Sequence, residues 1–381
     1  MYQVSLRACD TYEQDKVTQV IAKAMDDLGG VNRFAPPGSK VLIKTNLLKK
    51  NKPEDQVTTH PSVLIGVIRA LQQNGVSDIL VADSPGGPFS VSYLKMIYKD
   101  AGIDFVAEQT GVSLNYDTGQ YDVYNEQGVI LKQMQLCHYL LNRDVVIDCA
   151  KLKTHGMTGY TGAIKNMFGC IPGTTKVEYH YRMPELKDFS NMLLDLALYL
   201  NPALSVIDAI WGMEGDGPSA GEPRKVGALV LSDSPVGADI LGSILMGLHP
   251  LEVCMLQRAK ERGLIAGELE KDVELFGDPL EPLIVSDYKP ARVAHLSLLS
   301  NRAPQWAIGW LERYLTPRPL VNKKTCIGCG VCAQACPPRA ITMAKHLPEI
   351  NRDTCIKCFC CSELCPYKAM KIKRPWISKY F

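Results

Sequence analysis

Short β-branched apolar runs alternate with apolar residues at helical spacing along most of the chain. Residues 41–44, 78–82, 145–148, 205–207 and 228–231 read as buried strands, and residues 17–28, 61–74, 91–101, 189–200 and 236–246 as helices. That alternation predicts an α/β fold, a mostly parallel sheet with helices on both faces. Two half-apolar runs within residues 121–136, separated by Asn125-Glu126-Gln127-Gly128, predict an interrupting hairpin. Trp306, Trp310, Leu311 and Tyr314 fall at helical steps within residues 301–315, and Thr316-Pro317-Arg318-Pro319 stops that helix. The expected division is an α/β domain over residues 1–298, a linker helix and Pro-rich hinge over 299–319, and a small α+β domain over 320–381.

The small domain is an internal repeat. LVNKKTCIGCGVCAQACPPRAITM and EINRDTCIKCFCCSELCPYKAMKI lie 29 residues apart, and each predicts a strand, a loop, a helical turn and a return strand about a pseudo-two-fold axis. Each copy holds Cys-x2-Cys-x2-Cys-x3-Cys-Pro, the ligand run of a bacterial two-cluster ferredoxin. Three cysteines at i, i+3 and i+6 wrap one face of a [4Fe-4S] cube, and in this arrangement the last cysteine of each run serves the other cluster. Cys326, Cys329, Cys332 and Cys365 are therefore expected on one cluster, and Cys355, Cys358, Cys361 and Cys336 on the second. A zinc ribbon has no use for a third cysteine at the same step, and a disulfide framework needs an oxidising compartment. Cys360, between two ligands, reads as a buried bystander.

Charge is uneven. The chain carries +2 overall, yet residues 321–381 hold 11 Lys and Arg against 3 Asp and Glu, which leaves −6 upstream. Eight thiolates and two oxidised clusters would bring the loaded tail to about +4. Such a rim suits an acidic ferredoxin or flavodoxin as electron donor. Nucleic-acid binding is not expected, because the lysines are spread among cysteines with no basic helix and no interleaved aromatics. No stretch approaches the length of a membrane span and the first residues lack a signal-peptide layout, so the expected address is cytoplasmic, with no membrane partner.

Ligands of open α/β sheets bind beyond the carboxyl ends of the strands, and here those ends are polar. They read Lys44-Thr45-Asn46, then Thr58-Thr59-His60-Pro61, Asp83-Ser84-Pro85-Gly86-Gly87, Asp148 followed by Lys151, Lys153, Thr154 and His155, and Asp208 followed by Gly212 to Pro218. Singly, each fits a turn or a helix cap; together they imply a charged cleft. The richest block, KLKTHGMTGYTGAIKNMFGCIPGTTK from Lys151 to Lys176, has the glycines and lysines of an anion cradle, which His180 and Arg182 would extend. It does not match the P-loop pattern, and no GxGxxG follows a strand, so neither a nucleotide nor a nicotinamide or flavin is indicated. Cys149 and Cys170 flank the block as small buried hydrophobes, or as a nucleophile or extra metal ligand.

KTN, TTHP, ADSPGG, the glycine-rich block, DAIWGMEGDGP and LVLSDSPVGADI together resemble the DUF362 family, in the form that carries a C-terminal two-cluster ferredoxin domain. The resemblance covers nearly the whole chain and implies two [4Fe-4S] clusters beside a domain whose reaction the family label does not define. The leading expectation is an oxidoreductase passing single electrons to a small anionic substrate upstream. Lys153, His155 and Lys165 are candidate proton donors or anion clamps, and Asp208, Glu214 and Asp216 candidate acids, bases or ligands of a divalent cation. Lys44, Asn46, His60, Asp83, Ser84 and Asn166 are the expected substrate-binding set. Two alternatives remain: an electron carrier or adapter without its own catalysis, and a non-redox enzyme with structural clusters.

Overall fold

The computed structural model describes residues 1–173, 175–291 and 317–373, so the helix expected at 301–315 lies outside the described residues. The chain divides into two compact units. One comprises Met1–Lys176 and Glu185–Ala291, and the other Val177–Pro184 and Arg292–Phe381.

In the first unit the strands are β1 (Tyr2–Ala8), β2 (Lys40–Lys44), β3 (Asp78–Ala82), β4 (Ser113–Leu114), the hairpin β5 (Gln120–Tyr124) and β6 (Gln133–Cys137), β7 (Val145–His155), β8 (Gly159–Thr161), β9 (Leu204–Glu214), β10 (Glu222–Ser232) and β11 (Val273–Gly277). The large sheet runs β11-β1-β10-β9-β7-β2-β3-β4, with β8 on β7. The β9-β7-β2-β3-β4 run and the β1-β11 edge are parallel; β10 is antiparallel to both its neighbours. A mostly parallel α/β sheet is thus observed, with the hairpin where the sequence puts it.

Helices cover both faces. Gln14–Asp27 buries Val17, Ile21, Ala24 and Met25 at helical spacing against Pro61–Gln73, and both share a core with Ile43, Ile147, Val206 and Leu229 of the strands. A buried aliphatic side chain of this kind contributes roughly 1.5–3 kcal/mol. Gly66 lets the two helices approach, since a Cβ there would lie 2.6 Å from Ile21 Cδ1. On the opposite face Pro235–Leu245 rests on Ile207, and Leu186–Leu200 brings Phe189 edge-on to Phe168. Two of these helices start on proline behind a side-chain cap: Ser62 N–H donates to His60 Nδ1, and Val236 N–H to Ser234 Oγ.

The central strands overrun their apolar cores. β7, β9 and β10 each span 11 residues, so Lys151, Lys153, His155 and Asp208 lie inside strands rather than beyond them. A buried lysine reads as a strand end only because its partner is distant in sequence. β1 and β11 have no strong apolar run and gave no sequence signal.

The second unit contains β12 (Arg318–Val321), β13 (Ile341–Ala344), β14 (Leu347–Ile350) and β15 (Met370–Lys373), with short helices Val331–Gln334 and Cys360–Glu363. Every element of one half recurs 29 residues later. Pairing crosses the halves: β12 joins β15 and β13 joins β14, and Asn322 N–H and Asn351 N–H donate at 2.8 Å to the carbonyls of Ala369 and Ala340.

Candidate functional site

In the second unit the ligand loops turn at matching left-handed positions. Gly328 and Lys357, Gly330 and Phe359, and Arg339 and Lys368 all have positive φ. Non-glycine residues occupy four of these six positions, a cost accepted where a loop must close tightly around something. Cys326, Cys329, Cys332 and Cys365 line one cavity, three sulfurs from one run and the fourth from the other. Cys336 lies within electrostatic range of Cys355 and Cys358, and Cys361 within range of all three. The last cysteine of each run accepts a backbone N–H at 3.2 Å, from Ala340 to Cys336 Sγ and from Ala369 to Cys365 Sγ, which stabilises thiolate charge. Ile341, Ala369 and Met370 supply the apolar wall. Cys360 is buried, and its hydrogen bonding to Cys358, then burial, push its thiol well above the usual range. Among the described residues no three His, Cys, Asp or Glu side chains gather tightly enough for a single metal ion. Sulfurs spread around a larger cavity suit a cubane rather than a zinc ion.

The first unit holds two buried polar networks. In one, Lys44 lies 2.9 Å from Asp83 and donates to Thr45 O at 2.6 Å; Asn46 Nδ2 donates to Asn166 Oδ1 at 2.8 Å, and Asn166 Nδ2 to Asp148 Oδ1 at 2.6 Å. Lys153 Nζ donates to Asn46 Oδ1 at 2.7 Å and to Val57 O at 2.6 Å. Burial opposes the Lys44 ammonium, but Asp83, Cys170 and Asp148 raise its pKa on balance; burial also raises Asp83 against the pull of Lys44 and Lys176. Leu47 N–H also donates to Asp83, at 2.5 Å, which favours its charged form. Asp148 is different. Burial lifts it well above the usual carboxylate range, and its Oδ2 has no hydrogen-bond partner among the described residues, both of which disfavour the charged form.

The second network centres on Asp208. It takes Lys151 Nζ at 2.9 Å, Tyr12 OH at 2.9 Å and His60 N–H at 3.0 Å, and Lys151 donates also to Gln56 Oε1 at 2.7 Å. His60 stacks on Tyr12 with centroids 3.6 Å apart, and burial pulls it down to about 4, which leaves it neutral at physiological pH. A register shift in the β7–β9 pairing between Lys151 and Lys153 accompanies their division between the two networks.

Of the expected residues, the structure brings together Lys44, Asn46, Asp83, Lys153 and Asn166 directly. Ser84 joins through Lys176, which donates to Ser84 O at 2.6 Å and Oγ at 2.9 Å and is brought down to about 8 by burial. Asp208 and His60 form the separate second group. Lys165 lies 5.7 Å from the Phe168 ring, and His155 Nδ1 accepts Met157 N–H and Thr158 N–H, holding the β7–β8 turn. Glu214 stands apart, 3.0 Å from Lys289 and 3.9 Å from Arg224. The acidic residues Asp208, Glu214 and Asp216 therefore do not assemble a cation site among the described residues. His180 and Arg182 fall in the second unit, where Arg182 pairs with Glu178.

The glycine-rich block closes on the chain's own carboxyl groups. Ala163 N–H and Ile164 N–H donate to Asp239 at 2.6 and 3.1 Å, and a Cβ at Gly162 would collide with it. Gly169 likewise leaves room for Asp83 and Lys44, to which an added Cβ would lie 2.0 and 2.5 Å away. Sequence reasoning missed Tyr12, Gln56 and Asp239 as members of these networks, since none has a local signature.

A family model described as a domain of unknown function, DUF362, matches residues 41–243, more than half of the chain and both networks' lysines. The chain belongs to the DUF362 family. This DUF362 protein also matches a 4Fe-4S dicluster domain over residues 318–366, so its C-terminal unit binds [4Fe-4S] and supports iron-sulfur electron transfer. It is 28% identical over 263 residues to a thylakoid-associated protein of Synechocystis sp., covering 68% of this chain and 79% of that one. Among solved structures, a lactate racemase apoprotein from Thermoanaerobacterium thermosaccharolyticum aligns at 14% identity and TM-score 0.39, covering 63% of this chain and 56% of that one. A Thermotoga maritima protein aligns at 14% identity and TM-score 0.35, covering 54% and 52%. The DUF362 chain thus spans little more than half the length of either structure. Among its described residues, no helix is long and apolar enough to cross a membrane.

Proposed function

We propose that the eight repeat cysteines hold two [4Fe-4S] clusters crosswise, and that the α/β unit uses their electrons to reduce a small anionic substrate. Bound clusters supply one-electron transfer at low potential; the chain's own part is to bind the anion and deliver protons. The observation that carries this reading is the buried run Lys153–Asn46–Asn166–Lys44–Asp83, with Asp148 attached through Asn166. A buried charged network is a poor way to gain stability, and strongly shifted groups concentrate at sites of chemistry. Half-buried Asn46 is the member of the run most open to solvent. Lys153 would clamp the anion there, and Asp148 and Lys176 would hold protons behind it. No disulfide joins any of the fourteen cysteines, which fits a reducing compartment, and we place the protein in the cytoplasm.

The carrier reading is favoured by one fact. Lys44, Lys151 and Lys153 are almost fully buried and already bonded within the fold, so an anion must displace a native contact to reach them. The two readings separate in one experiment. Anaerobically purified protein should carry about eight iron and eight sulfide, and screening metabolites for reoxidation of the reduced protein identifies the substrate. Lys153→Ala should abolish that reoxidation at full iron content; an unchanged rate leaves the carrier.

A further inference from the structure

We propose that the two halves of the cysteine unit are functionally unequal, and that the Cys326/Cys329/Cys332/Cys365 side is the docking face for a small acidic electron-carrier protein. The proposal deepens the iron-sulfur reading and rests on it.

Superposing the halves by their 29-residue offset exposes the difference. Cys329 is the one exposed residue of the eight candidate ligands, whereas its counterpart Cys358 is half-buried. Around it stand Ile327, 60% exposed, Tyr367, 50% exposed, and Met343, 38% exposed, all lining the same cavity. The counterparts of these three, Ile356, Pro338 and Ile372, are only half-exposed. Exposed apolar groups around a redox ligand exclude water from an encounter and shorten the electron path, while charge at the rim steers and orients the partner.

The first half carries charge of one sign. Residues 318–346 hold Arg318, Lys323, Lys324, Arg339 and Lys345 and no acidic residue, a formal +5; residues 347–373 hold five basic residues but also Glu349, Asp353 and Glu363, a formal +2. The substitutions are positional: Lys324 is matched by Asp353, and Leu320 by Glu349. Lys323, Lys324 and Lys345 are exposed and, among the described residues, make no ion pair. Lys345 belongs to the turn that abuts the ligand loop, since a Cβ at Gly328 would lie 2.5 Å from His346 O. An acidic protein with an apolar centre matches this pattern. In the encounter one electron leaves the reduced carrier and enters the oxidised cluster, with no bond made or broken.

The test measures binding of the full, cluster-loaded chain to an oxidised acidic [2Fe-2S] ferredoxin by calorimetry, so no turnover is needed. Lys323→Glu/Lys345→Glu should weaken affinity about tenfold at low salt, and raising ionic strength should erase the difference. Tyr367→Asp should weaken it at every salt concentration. The charge-matched pair Arg352→Glu/Lys371→Glu should change it less than about twofold. Equal losses from both pairs, an inert Tyr367→Asp, or no binding by the loaded parent each overturns the proposal. So does loss of attachment to phosphatidylserine vesicles in place of loss of ferredoxin affinity, which would make the face a membrane contact. Iron and sulfide analysis comes first: a chain that takes up neither overturns the ligand assignment itself, a failure distinct from a loaded chain that does not dock.

Discussion

Lysines in the α/β unit and lysines in the cysteine unit obey opposite rules. Lys44 and Lys151 are sealed from solvent, each against one carboxylate, while Lys323, Lys324 and Lys345 are exposed and, among the described residues, make no ion pair. A charge in a low-dielectric interior must be answered at hydrogen-bond distance, and the answer fixes both strands that supply it. A charge in water needs no answer and is left for something outside. The first kind holds the sheet ends in register; the second kind is what the proposed docking partner would meet.

The sharpest way to break this contrast is to leave one buried charge alone. Lys151→Met strands Asp208 and should cost about 3–5 kcal/mol of unfolding free energy, and adding Asp208→Leu should recover most of it, both read by anaerobic urea denaturation. If the single variant loses nothing, the pair is not carrying charge.

A smaller effect is expected at Asp148. Its folded pKa is raised above the ordinary 3.8 by burial, so the folded state keeps a proton that the unfolded state gives up. The stability this group contributes is complete below pH 3.8 and is lost as pH rises toward the folded value. Asp148→Asn, which copies the protonated acid, should stay within about 1 kcal/mol of the parent at neutral pH and should flatten that decline. A steeper decline in the variant would show that the carboxyl is ionised.

The smallest effect belongs to the exposed set. Lys324→Gln should leave the denaturation midpoint unchanged within error, since a solvated lysine with no partner contributes almost nothing to folding. A resolvable loss would mean that this lysine is structural after all.

How far the chain could be read follows the same division between local and distant constraint. The cysteine runs were legible because three ligands of one cluster must lie within seven residues of each other, and the 29-residue offset predicted both halves. The cores of β2, β3, β7, β9 and β10 were legible from β-branched runs. What could not be read was where β7 and β9 stop, because Lys151 and Asp208 are acceptable inside a sheet only when paired with one another across 57 positions. Tyr12 and Asp239 were silent for the same reason: their roles come from partners that only the folded chain supplies. The glycine-rich block was recognised as a cradle, but its occupants, Asp83 and Asp239, could be named only once the backbone was in place.

The crossed pairing of β12 with β15 and of β13 with β14 makes the cysteine unit indivisible. Severing the chain between His346 and Leu347 would leave each fragment one strand from each ribbon and, on the proposed crosswise ligation, three of the four sulfurs of its site. Neither fragment has anything complete to keep. Truncation is therefore an all-or-nothing event for this unit, and a shortened relative that ends inside the second copy should have lost the first site as well.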